Sequence, residues 1–126
     1  MKNDNPLSPH IQIYNWHISS LISISHRITG IINIIIITLI CFWVALLLLG
    51  NTNYDLVQTF FEIYLGKFFI VATVWSFSFQ VLCEIRHLFW DLGYGFEIKT
   101  SNVTGLLVIF GSVFLTILIL GKNIIL

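Results

Sequence analysis

Between Ile31 and Leu49 the chain runs for a membrane's width with Asn33, Thr38 and small residues as its interruptions. A bilayer core about 30 Å thick needs about 20 apolar helical residues, so this run predicts a transmembrane helix. Its polar preamble, Ser19 to Gly30, holds no breaker before Gly30, and the helix is expected to begin near Ser20 and enter the membrane obliquely. Asn51, Thr52, Asn53 and Asp55 then predict a short polar turn. A second apolar stretch, Phe68 to Cys83, is bracketed by Glu62 and Lys67 on one side and by Glu84 and Arg86 on the other. It spans if Lys67 snorkels to the interface. Gly93, Gly95 and the polar run Lys99 to Asn102 predict the next turn, and Val103 to Leu120 the third span, closed by Gly121 and Lys122. Ile and Val are abundant, but lipid admits only helices and closed barrels, and runs this long without alternation are helical.

The reading is a single all-α membrane domain over residues 1–126: three transmembrane helices in an up-down bundle, with spans at approximately 22–49, 61–90 and 103–121 and an N-terminal interfacial segment. Composition agrees. With 57% hydrophobic and 10% charged residues, a chain of 126 residues has more apolar surface than one globular core could hide. The formal net charge is zero and the basic residues are dispersed, which argues against nucleic acid and against a polybasic lipid-binding surface; membrane lipid is expected as the surrounding solvent. Cys41 and Cys83 each sit within an apolar run and read as small hydrophobes. The polar or mixed opening, with Asp4, Pro6 and Pro9, differs from a cleaved signal and from an Arg-rich transit peptide, so synthesis in a bacterium or inside the organelle is expected. Three spans put the N-terminal segment and the second loop on one side, with Lys2, Arg27, Arg86 and Lys99; Asp55, Glu62, Lys67 and Lys122 fall on the other. The positive-inside tendency places the first set, and the N-terminus, in the cytoplasm or matrix.

Ionisable residues within membrane helices usually line a cavity or pair with one another, and here they form two stripes. Ser23, His26, Arg27 and Gly30 lie at i, i+3, i+4 and i+7 on one helix face. Gln80, Glu84, His87 and Asp91 step by four, three and four down the second helix. In an up-down bundle both stripes end at the same membrane surface, where they could share a pocket. Hydroxyl, imidazole and guanidinium groups there suit a small polar head on an apolar tail, with Asp91 positioning His87 or relaying protons. That chemistry fits quinone reduction, and spacing alone fits a lipid headgroup equally. Trp75, Phe77 and Phe79 read as packing or lipid contact, and Trp16, Trp90 and Tyr94 as an interfacial aromatic belt. Gly105, Gly111 and Ser112 would let the third helix approach its neighbours closely.

Two segments carry a resemblance. Pro6-Leu7-Ser8-Pro9-His10 with Ile13-Tyr14, and Ser23-Ile24-Ser25-His26-Arg27-Ile28-Thr29-Gly30, follow the opening and the S-x-x-H-R-x-[ST]-G signature of one family. Ile85 to Gly93 fits its second signature, I-R-H-x-x-W-D-x-G. The chain thus resembles, over nearly its whole length, the cytochrome b556 membrane-anchor subunits of succinate dehydrogenase (respiratory complex II), proteins of bacterial and mitochondrial inner membranes. The resemblance implies that Ser23 and Arg27 help bind ubiquinone and that Asp91 supports that site. It puts His26 and Arg27 near the propionates of a b-type haem, and His87 near the haem edge or the proton path. It also implies three partners: an iron–sulfur subunit, a flavoprotein subunit and a second small membrane-anchor subunit. Electrons from succinate would arrive through cofactors this chain does not itself carry.

The sequence departs from the family pattern at three positions. Asn5 stands where Arg usually precedes the first Pro, and Glu84 stands where a small Gly or Ala leaves room for a macrocycle. Gln80 occupies the haem-ligand position, seven residues before His87, and an amide does not match imidazole as an iron ligand. Either the haem is lost or another histidine, such as His26 or His87, substitutes. Two other classes stay open: a purely structural assembly subunit of complex II without a direct haem or quinone role, and a small channel component. The channel is disfavoured because no ionisable residue lies between Val103 and Leu120.

Overall fold

The computed structural model describes residues 17–50 and 52–125, so the expected N-terminal interfacial segment and the motif residues Pro6 to Tyr14 lie outside the described residues. Within them the chain is all helical: α1 (Ile18–Leu47), α2 (Thr52–Glu62), α3 (Tyr64–Asp91) and α4 (Ile98–Ile125). Three are long and apolar enough to cross a membrane: Ile18–Leu47, Tyr64–Asp91 and Ile98–Asn123. α1 and α4 run alongside each other and antiparallel to α3, which packs against both.

The described residues are arranged inside out relative to a protein in water. Most of the large apolar side chains are exposed, among them Ile31, Ile34, Phe42, Phe68, Phe110 and Phe114. Much of what is buried is polar: Thr29, Asn33, Ser76, Ser78, Ser112 and Thr116. Lipid tails solvate Ile and Phe as well as a core would, so helices meet along small and hydrogen-bonding residues. Each seam follows helical spacing: Ile22, Thr29, Asn33 and Ile36 on α1, Ser76, Phe79, Cys83 and Arg86 on α3, and Gly105, Val108, Ser112 and Thr116 on α4. Ser76 Oγ donates to Asn33 Oδ1 at 2.7 Å, so the one polar interruption that faces the seam of α1 is bonded across it. The small residues act as expected. A Cβ on Gly105 would press on Ile22 Cδ1, and one on Gly111 would stand 3.2 Å from Leu82 Cδ1.

α2 is a departure from the expected polar turn. Asp55 in its first turn favours the positive end of the helix dipole, and Thr59 Oγ1 bonds the Asp55 carbonyl. Val57, Phe60 and Phe61 line an apolar groove completed by Trp43 of α1 and Phe69 of α3. α2 and α3 are separate helices because Ile63 is extended (ψ 150°), so the second membrane helix starts at Tyr64 rather than at residue 61. Gly66 makes the elbow possible, since a Cβ there would overlap the Phe60 carbonyl oxygen and Phe61 Cα.

The opposite end of α3 closes with a Schellman motif. Gly93 (φ 87°) donates to the Trp90 carbonyl at 2.9 Å, and Tyr94 donates to the Phe89 carbonyl at 3.0 Å. This reversal starts α4 at Ile98, a turn before the expected 103, and sets Ser101 and Thr104 beside the last turns of α3.

Gly66→Ala forces backbone atoms apart at the elbow and is expected to lower stability by about 1–3 kcal/mol. Gly121→Ala, where a Cβ meets nothing within 4 Å, should be neutral. Thermal unfolding in detergent checks the pair, and equal midpoints for both variants would contradict the elbow.

Candidate functional site

At the end of the bundle where α1 begins and α3 finishes, the helices enclose a polar cavity of about 400 Å³. α1 contributes Ser19, Ile22, Ser23, His26 and Arg27, and α3 contributes Arg86, His87 and Trp90. The stripe at i, i+3 and i+4 on α1 thus faces one cavity. Ser23 and Arg27 are themselves exposed at its rim.

The two histidines meet across it. Their rings stack with centroids 5.5 Å apart and planes 28° apart, and His87 also tilts against Trp90. His87 Nδ1 lies 2.7 Å from the Cys83 carbonyl, which can only accept, so Nδ1 carries the proton and Nε2 of the neutral ring is an acceptor.

His26 is wired differently. Its Nε2 is 2.9 Å from Gln80 Nε2 and 3.0 Å from Glu84 Oε1. A carboxylate wants a proton on that nitrogen, and an amide NH₂ wants a lone pair. Thr29 lets the cluster serve either state. In one state its hydroxyl donates to Gln80 Oε1 at 3.0 Å. Turning the amide over lets Thr29 donate instead to the Ser25 carbonyl, 2.8 Å away, and accept from Gln80. Gln80 Oε1 then accepts from protonated His26.

The expected stripe on α3 therefore splits. Gln80 and Glu84 join His26 on the outer side of the α1–α3 seam, where both line a second groove with Gly30 and Asn33. His87 turns to the cavity. Asp91 is the final residue of α3 and exposed, and it does not line the cavity, whose wall at that level is Arg86, His87 and Trp90. The expected partnership of Asp91 with His87 is not formed: His87 is positioned by the Cys83 carbonyl one turn earlier.

Sequence reasoning gave no site role to Arg86 or Trp90. Arg86 is 6% exposed, its guanidinium lies 4.2 Å from the Trp90 ring centroid, and it bonds Ser101 and Thr104 of α4. The i, i+4 pairing of Arg with Trp, on the same face as buried Cys83, is the signal that could have found it. Cys83 is fully buried in the core cluster as expected, whereas Cys41 is exposed.

Residues 1–119 match the family described as the succinate dehydrogenase/fumarate reductase transmembrane subunit. The succinate dehydrogenase cytochrome b556 subunit of Rickettsia conorii is 39% identical over 117 residues, 93% of this chain and 91% of the relative. Its counterpart in Paracoccus denitrificans is 32% identical over 94% of this chain and 92% of its own length. The cytochrome b560 subunit of Marchantia polymorpha is 34% identical over 94% of this chain and 90% of its own. The chain belongs to this family.

This family member is a multi-pass inner-membrane protein and a transmembrane subunit of succinate dehydrogenase. Its relatives' names are those of b-type cytochromes. The residues at the expected axial position do not fit such a haem. Gln80 presents an amide whose oxygen and nitrogen are both bonded, to Thr29 and His26, and Glu84 sets a carboxylate one turn away. The Nε2 of His26 is engaged by the same cluster.

Gln80→Leu is accordingly expected to leave any b-type absorption band of the purified complex in place. A reduced-minus-oxidised spectrum checks this, and disappearance of such a band in the variant would make Gln80 a ligand after all.

Proposed function

We propose that this subunit anchors the catalytic part of complex II and forms part of its ubiquinone-reduction site. In this reading it holds the iron–sulfur and flavoprotein subunits at the membrane together with a second small anchor subunit. Electrons from succinate reach ubiquinone at the end of the bundle where α1 starts. That end faces the matrix or cytoplasm, in keeping with the positive residues gathered there.

The observation that carries the reading is the cavity itself: a polar space between α1 and α3, walled by Ser23, His26, Arg27 and His87, at one end of helices otherwise sheathed in Ile, Leu and Phe. A quinone has two carbonyl oxygens on a flat ring and an apolar tail. Ser23 Oγ and the Arg27 guanidinium are the donors for one oxygen, and both sit at the rim, where a partner subunit can complete the wall. The His87 Nδ1 proton is committed to Cys83, so His26, with its two hydrogen-bonded states, is the better proton source for the reduced ring. Asp91, exposed at the same end, serves as a surface carboxylate through which protons enter from water.

Arg27→Leu in the assembled complex should cut succinate–ubiquinone reductase activity about tenfold or more, the loss of one charge-assisted hydrogen bond of about 1.5–3 kcal/mol. Electron transfer from succinate to a soluble dye, which bypasses the membrane subunits, should be unchanged. Equal quinone reductase activity in variant and parent would favour a purely structural subunit whose quinone lies among other chains.

A further inference from the structure

Arg86 is the one charged side chain buried among the described residues. A guanidinium that is 6% exposed within a membrane helix has been taken out of water, and buried cations are normally repaid by a carboxylate. Here no carboxylate pairs with it: the one ion pair among the described residues is His26 with Glu84. Its partners are neutral. Nε donates to Thr104 Oγ1 at 3.2 Å, Nη2 donates to the Ser101 carbonyl and hydroxyl at 3.0 Å each, and the plane lies over Trp90. Nη1 has no hydrogen-bond partner among the described residues, and Arg86 lines the cavity.

A clamp of neutral groups fixes the direction of a charge without cancelling it. The remaining charged or titratable groups of the cavity wall are His26, Arg27 and His87, none of them an anion. Among the described residues no anion lines the cavity with Arg86, and a charge with low-dielectric walls acts more strongly than the exposed, screened Arg27.

We propose that Arg86 is a quinone-positioning and charge-stabilising residue, whose Nη1 bonds the ring oxygen on which negative charge gathers during reduction. The inference rests on the proposed quinone site. One electron from succinate, delivered by the dehydrogenase's own redox centres, converts the quinone to its radical anion. A second electron and two protons complete the quinol. Arg86 does not deprotonate, so it supplies no proton and acts on the anionic stage alone. A neutral head of the same shape, such as a lipid ester, gains little from it.

The test uses the assembled complex and three variants, Arg86→Gln, Arg86→Lys and Thr104→Val, each normalised to succinate–dye activity. Arg86→Gln should lower kcat with a short-chain ubiquinone by about tenfold or more and abolish the semiquinone signal in electron paramagnetic resonance. Arg86→Lys keeps the charge but not the fork, so it should hold kcat within about threefold and raise KM by a similar factor. Thr104→Val removes one of the three hydrogen bonds that aim the guanidinium and should lower kcat about two- to threefold, well short of Arg86→Gln. The proposal fails if Arg86→Gln keeps kcat and semiquinone, or if Thr104→Val falls as far as Arg86→Gln, which would mean packing rather than charge. Should Arg86→Gln not assemble, a Lys variant with the parent's KM and semiquinone signal overturns it. Insensitivity to Arg27→Leu would instead count against the quinone site as a whole, whatever Arg86 does.

Discussion

Hydrocarbon on the outside leaves a polar side chain one place to go, the seam between helices, and every feature of the site follows from that constraint. Ser76 Oγ donates to Asn33 Oδ1 and approaches the Thr29 carbonyl across the α1–α3 seam, where water would otherwise have competed for them. Such bonds within membranes average about 0.6 kcal/mol each, so the seam is not held by their strength. Their effect is on register. A slide of α1 along α3 would leave Asn33 Oδ1 and Ser76 Oγ unpaired, and the same slide would separate His26 from Gln80 and His87. The polar ladder in mid-membrane therefore fixes the geometry of the cavity at the helix ends.

Much of this was legible because membrane helices obey simple rules. The run Ile31 to Leu49 announces α1, and the i, i+3, i+4 spacing of Ser23, His26 and Arg27 announces a common face, which the structure turns to one cavity. Gly105 and Gly111 signal close approach through size alone. Three things were illegible for a physical reason. α2 hides in a segment whose opening is polar, because its apolar groups Val57, Phe60 and Phe61 pay out only when α1 and α3 are beside them. Arg86 reads as an interfacial charge until α4 is folded back by the Gly93 turn, which brings Ser101 and Thr104 to it. Asp91 has the right spacing from His87 but is the helix's last residue, and periodicity carries no information about where a helix stops.

Gln80 and Glu84, which look like losses from the family pattern, form a matched pair in space. Glu84 alone on that face would be a carboxylate toward lipid. Gln80 alone would be an amide with one side unsatisfied. The two meet at the Nε2 of His26, with Thr29 bracing the amide of Gln80, so each explains the tolerance of the other. Replacing either without the other breaks a network whose members share one proton, and such networks are worth more intact than their pairwise bonds suggest.

The charge arrangement divides the end of the bundle into two environments with different duties. On the outer side of the seam, the Glu84 carboxylate lies 3.0 Å from His26 Nε2 and can pair with the ring when it is protonated. On the inner side, Arg86 and Arg27 stand without a described counter-anion, and any ligand gaining negative charge is drawn there. His26 belongs to both, lining the cavity while bonded to the cluster outside it. In the proposed mechanism, a ring that takes a proton from one side and stands beside a cationic cavity on the other would couple proton uptake to charge accumulation, provided its pairing with His87 keeps it in place. The 5.5 Å stack on His87, itself held by the Cys83 carbonyl, does that: it keeps the ring fixed between the cluster and the cavity, where the proposed proton path would run through it.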